Sequence, residues 1–148
     1  MLRESQQQES AELLKTSFKL DPEGLSARGR SLQLLLLHRR CASCWGGLIQ
    51  EQGQGLEVEV AEHLERIANH CSISPEFIHP QLTIMEAAFR VLLSNGGQPM
   101  TLQSMYEALQ ERWSNPRNPR TPSAARLHRM LLADTFYGIS QVSEAGEQ

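Results

Sequence analysis

The sequence predicts a mainly all-α protein built in two parts. An N-terminal helical half, residues 1–75, precedes a C-terminal helix-turn-helix or winged-helix-like module, residues 76–148, with a minimal wing. Three observations carry this. The 148 residues are 40% apolar and 21% charged, as in an ordinary globular domain, yet only 5% aromatic, so Leu, Ala, Val, Ile and Met must fill the core. Apolar residues recur mostly at helical spacing. Several of the periodic stretches begin at a Ser or Thr and stop at glycine.

In the first half, Ala11, Leu14 and Phe18 share one helical face, which predicts a helix over Ser5–Phe18, ended by the Asp21-Pro22-Glu23-Gly24 turn. A longer helix follows, with Ser26 as its N-cap, and runs to about Trp45 before Gly46-Gly47 stops it. It carries Leu32 and the run Leu34–Leu37, which covers the helix all round and therefore predicts deep burial or a homodimer interface. Leu56, Val60, Leu64, Ile67 and Cys71 then repeat at spacings of four, four, three and four, with Glu57, Glu59, Glu62 and Glu65 on the opposite side. Alternation over 56–60 also suits a strand, but the helical period continues for three more turns, so a helix over 56–71 is expected. Pro75 and Pro80 mark a connector between the two parts.

In the second half, Thr83 followed by Glu86 predicts a capping box, in which each side chain satisfies the other's backbone N–H. That helix should stop at Asn95-Gly96-Gly97. Thr101 is expected to cap a second helix that buries Leu102, Met105, Leu109 and Trp113. A proline-containing loop, 114–120, comes next. Thr121-Pro122 then predicts the start of a third helix, with Thr as N-cap and Pro in its first turn, ending near Asp134. Residues 136–142 alternate loosely and predict one short strand.

Composition and charge bound the function. A net charge of −3 excludes a protein coated in positive charge but allows a local basic face. Such a face is visible: between Arg112 and Arg129 stand five arginines and no carboxylate. On a wheel of the third helix, Ala124, Leu127 and Leu131 lie on one side, with Arg126 and Arg129 opposite. That arrangement suits a recognition helix, because arginine contacts phosphates and reads guanine edges bidentately. Arg117, Arg120, Ser123, Arg126 and Arg129 are accordingly the candidate DNA-contacting residues. The bland reading is a solvated face, and the alternative function is a protein–protein adaptor that uses the same fold.

Other patterns weigh less. Cys41-Ala42-Ser43-Cys44, with His38, His63, His70 and Cys71 elsewhere, contains enough donors for a tetrahedral zinc site. Its predicted place inside a helix favours buried, unliganded side chains instead, so neither metal nor cofactor is expected. No nucleophile accompanies the glutamates of 56–71, and no Gly-Lys-Ser/Thr follows Gly53 and Gly55, so catalysis is not expected. The polar start and an apolar run of only four leucines point to a cytoplasmic protein with no leader and no membrane contact.

The string LTIMEAAFRVLLSNGGQPMTLQSMYEAL, followed by TPSAARLHRML and FYGI, resembles the HARE-HTH winged-helix domains, found beside restriction and chromatin proteins. The delta subunit of bacterial RNA polymerase has a related domain. The likeness covers about residues 82–142. It implies association with DNA, or adaptor activity in a nucleic-acid complex, and no catalysis; with the basic face it makes a DNA-binding transcriptional regulator the leading expectation. The family's wing is a hairpin, whereas this chain has one candidate strand and then the polar residues SEAGEQ.

Overall fold

A computed structural model describes residues 11–41, 43–44, 58–74, 76–113 and 122–142. These are mostly helical, with a small three-stranded antiparallel sheet that the sequence reading did not contain. Strand β1 is Ser17–Leu20. Helices α1 (Pro22–Ala27), α2 (Leu32–Leu37) and α3 (Val60–Asn69) follow, then a 3-10 turn at Cys71–Ile73. The second half holds α4 (Ile84–Ser94), β2 (Met100–Thr101), α5 (Leu102–Arg112), α6 (Ala124–Leu132) and β3 (Ile139–Gln141).

The order of the sheet is β2-β1-β3, so its central strand comes from before all these helices. Phe18 faces Met100 on one side and Gln141 on the other. The predicted helix over 5–18 is thus corrected at its end. Residues 11–14 are helical, but Thr16 Oγ1 donates to the Leu13 carbonyl and the chain leaves the helix before Ser17. Phe18 reaches the core as a strand residue, fully buried, and not as the last turn of a helix.

The long helix expected over 26–45 is also divided. Asp21, not Ser26, caps α1, accepting from the Gly24 N–H. The chain turns through Gly29 at φ 73°, and Ser31 caps α2 by accepting from the Leu34 N–H. Helix α2 ends at Leu37 because its last carbonyls find other partners: Arg39 Nη1 donates to the Leu35 carbonyl, and the Arg39 and Arg40 N–H groups bond Leu36 and Leu37. Leu35, Leu36 and Leu37 are buried within this one chain, leaving Leu34 exposed. The deep burial expected of the leucine run is thus present for three of its four members.

Helix α3 starts at Val60, later than expected, with Glu59 extended at its N-cap and Val58 buried against Leu37. Leu56 lies outside the described residues. The amphipathic stripe is present in Ile67 and Leu64, and Cys71 follows in the 3-10 turn.

Helix α4 is the hub of the core: Ala87, Ala88, Phe89, Val91, Leu92 and Leu93 are all buried. It packs against α3 and α5, while α5 packs on α6 and α6 on β3. Thr83 and Thr101 cap α4 and α5 as expected, accepting from the Glu86 and Ser104 N–H groups. Gly96 and Gly97 follow α4 in the left-handed region. The capping box is only half made, because the Glu86 carboxylate turns away to two arginines. Helix α6 is capped by Ser123 and not by Thr121, which lies outside the described residues, and it ends at Leu132. Beyond it, the Asp134 carboxylate accepts from the N–H groups of Phe136, Tyr137 and Ile139 and folds the connection into β3.

One apolar cluster takes residues from both sides of the connector near 75, from Phe18 and Leu25 to Leu131 and Ile139. Among the described residues no helix is long and apolar enough to cross a membrane.

Candidate functional site

Two places concentrate chemistry. The first is α6. Leu127 and Leu131 are fully buried, while Arg126 and Arg129 are exposed on the other side with Ala133. The 3.6-residue period produces this separation, since positions 127 and 131 are one turn apart and 126 and 129 fall across the axis. Neither arginine is in an ion pair with another described residue. Ser123 is brought to the same end of the helix, but its Oγ accepts from the Arg126 N–H at 3.2 Å and serves first as the cap. Arg117 and Arg120 lie outside the described residues.

The second place joins side chains that stand far apart in sequence. Cys41 follows α2 in the turn after Arg40, and Ser43 and Cys44 are again helical. Cys41 therefore stands at a break between helical stretches. The continuous helix that argued against a metal is not formed there. His70 ends α3 and Cys71 opens the 3-10 turn. Donor atoms of Cys41, Cys44, His70 and Cys71 all lie within 4.8 Å of one another. His70 Nδ1 is 3.3 Å from Cys41 Sγ and 3.5 Å from Cys44 Sγ, and Cys44 Sγ is 3.6 Å from Cys71 Sγ. The Cys41 backbone N–H donates to Cys71 Sγ at 3.2 Å. His38 and His63, weighed with the same group in the sequence, are not among the four.

Cys41 and Cys71 differ sharply in acidity. Burial pushes Cys41 up, but hydrogen bonds from Ser43, from the Cys44 backbone and from the neighbouring thiols outweigh it and lower its pKa to about 6. Cys71 is held up at about 12, mainly by burial and further by the adjoining thiols. Beside them Arg40 and His63 form a buried pair, Nη1 to Nδ1 2.9 Å. Burial first, and the Arg40 charge second, lower the His63 pKa below its usual value. A cleft of about 210 Å³ opens between Arg39, Arg40, Cys41, Cys71, Phe77 and Arg90.

Comparison with models of known protein families, with characterised proteins and with solved structures gives no match.

Sequence reasoning missed the polar knot that holds the second place against α4. Arg39 binds Glu86 through two bonds, 2.7 and 3.1 Å, and Arg90 adds a third at 2.9 Å. The Tyr137 hydroxyl donates to the same carboxylate at 3.1 Å. Only Glu86–Arg90, four residues apart on one helix, carries a local signal. His79, given no role from sequence, accepts the indole N–H of Trp113 at its backbone carbonyl.

Proposed function

We propose that the chain is a non-enzymatic DNA-binding protein, a transcriptional regulator in type, that meets DNA through α6 of a winged-helix-like module. One observation carries this reading: α6 sets Arg126 and Arg129 in solvent directly opposite the core residues Leu127 and Leu131. A helix so arranged can lie in a groove without disturbing the fold. The succession α4, β2, α5, α6, β3 supports the module, and the strand that the family's hairpin would provide beside β3 is here β1. With β1 in that place, α6 with Arg126 and Arg129 is the principal surface in this reading.

The test is a fluorescent duplex titrated with the full chain at several salt concentrations. Binding should weaken with salt, and Arg126→Ala/Arg129→Ala should shrink the log–log slope by about two if both meet phosphates. Far-UV circular dichroism should stay unchanged, since exposed substitutions shift stability by about 0.5 kcal/mol. A wild-type chain with no salt-dependent binding refutes the reading. The adaptor function would then lead. It is favoured by Leu132 and Phe136, which are exposed at the end of the same helix and just after it.

A further inference from the structure

We propose that Cys41, Cys44, His70 and Cys71 form a structural zinc site that clamps the segment after α2 to the end of α3. The inference stands apart from DNA binding and rests on the donor set and its spacing.

Zinc takes thiolate sulfur at about 2.3 Å and imidazole nitrogen at about 2.0–2.1 Å. Donors at those radii on a tetrahedron stand about 3.8 Å apart for two sulfurs and about 3.6 Å for sulfur and nitrogen. The three separations of 3.6, 3.3 and 3.5 Å sit close to these values, and the whole set stays within 4.8 Å. A disulfide is a poorer account of the same atoms, because its bond of about 2.05 Å is far shorter than the Cys44–Cys71 separation. Three thiols and one imidazole also select zinc over calcium or magnesium, which prefer oxygen.

The surroundings fit a bound thiolate. The Cys41 N–H points at Cys71 Sγ, and Ser43 Oγ lies 3.4 Å from Cys41 Sγ, so two of the three sulfurs have a polar neighbour able to support negative charge. The adjoining cleft, lined by Cys41 and Cys71, gives the ion an approach from solvent. Four protein donors complete the tetrahedron and leave no position for water or substrate, which makes the site structural and not catalytic. Its consequence is positional. Arg39 and Arg40 immediately precede Cys41, so fixing that cysteine also fixes the arginines that bind Glu86 and His63.

The experiment uses the full chain purified without added metal or chelator. Elemental analysis should find one zinc per chain. Cobalt(II) added to the chelated protein should give the intense red-region bands of a tetrahedral ion with a thiolate charge-transfer band, and zinc should abolish them at one equivalent. Cys44→Ser and His70→Ala should lose or weaken that spectrum, whereas Ser43→Ala, beside Cys41 but not a donor, should keep it. Chelation should lower the melting temperature by at least about 5 °C. Because a donor variant can fail to fold, the wild-type cobalt spectrum decides independently. A wild type that contains little zinc and gives only the pale spectrum of octahedral cobalt overturns the proposal. So does an intact mass short by two hydrogens in the freshly purified chain, which would mean a disulfide.

Discussion

Glu86 gives the sharpest stability prediction. Its carboxylate lies between Arg39 and Arg90 and also accepts the Tyr137 hydroxyl, so one side chain joins the segment after α2, helix α4 and the approach to β3. The three charged side chains are only 12–22% exposed. Replacing one partner of a fully buried ion pair costs about 3–5 kcal/mol, because the other charge is left without compensation. Here solvent reaches the rims of both guanidinium groups, so Glu86→Ala should cost about 2–3 kcal/mol. For a chain of this size that lowers the melting temperature by about 6–10 °C. Glu86→Gln, which keeps one acceptor oxygen, should cost about half as much.

The pH dependence supplies a second, independent readout. Burial raises the Glu86 pKa, but the hydrogen bonds and charges of Arg39 and Arg90 outweigh it, and the folded value lies below the ordinary one. A group depressed in the folded state contributes stability above its unfolded pKa, about 4.3 for Glu, and loses it as pH falls through the folded value. Thermal melts followed by circular dichroism at neutral pH and below pH 4 should therefore show the wild type and Glu86→Gln converging in acid. Glu86→Ala within about 0.5 kcal/mol of wild type at neutral pH, or a gap that widens in acid, would refute the network as a source of stability.

Two further substitutions probe the packing. Gly138→Ala should destabilise by about 3 kcal/mol, because the residue sits at φ 74° and a Cβ would meet buried Leu25 at 2.5 Å; Gly29→Ala, at φ 73° with nothing within 4 Å, should cost only about 1–2 kcal/mol. Equal urea midpoints for the two variants would show that the clash is absent. His63 titrates below its usual value in the folded chain, so stability should decline as pH drops from about 6.5 and His63→Gln should flatten that decline. Urea unfolding at pH 7.5 and pH 5.5 measures it, and a wild type that gains stability at the lower pH contradicts the assignment.

Parts of this fold were legible because their determinants are local. Thr83 and Thr101 each bond an N–H three residues on, and the core stripes of α4, α5 and α6 follow one period. Ser123 was the less obvious cap only because Thr121-Pro122 offers a competing start two residues earlier. Strand β1 could not be read, since its partners stand more than eighty residues away and Ala11, Leu14 and Phe18 fit a helix equally well. The end of α2 depends on Arg39, whose position is set by Glu86 across the molecule. That same misplaced helix concealed the cysteine cluster: all four donors were noted in the sequence, but a continuous helix would have carried Cys41 away from the turn where it meets His70 and Cys71. The two arginines of α6 were legible for the opposite reason, because a wheel alone separates them from Leu127 and Leu131.

The central position of β1 also bears on how the chain is made. During synthesis Ser17–Leu20 leaves the ribosome about 120 residues before its neighbour Ile139–Gln141. At about 5–20 residues per second that is a wait of about 6–24 s, far longer than helices need to form. Through that interval the strand has an open hydrogen-bonding edge, and Phe18 lacks the full cover it has in the finished molecule. Closing the sheet is then among the last acts of folding, and a nascent chain released early would expose a short sticky edge to its neighbours.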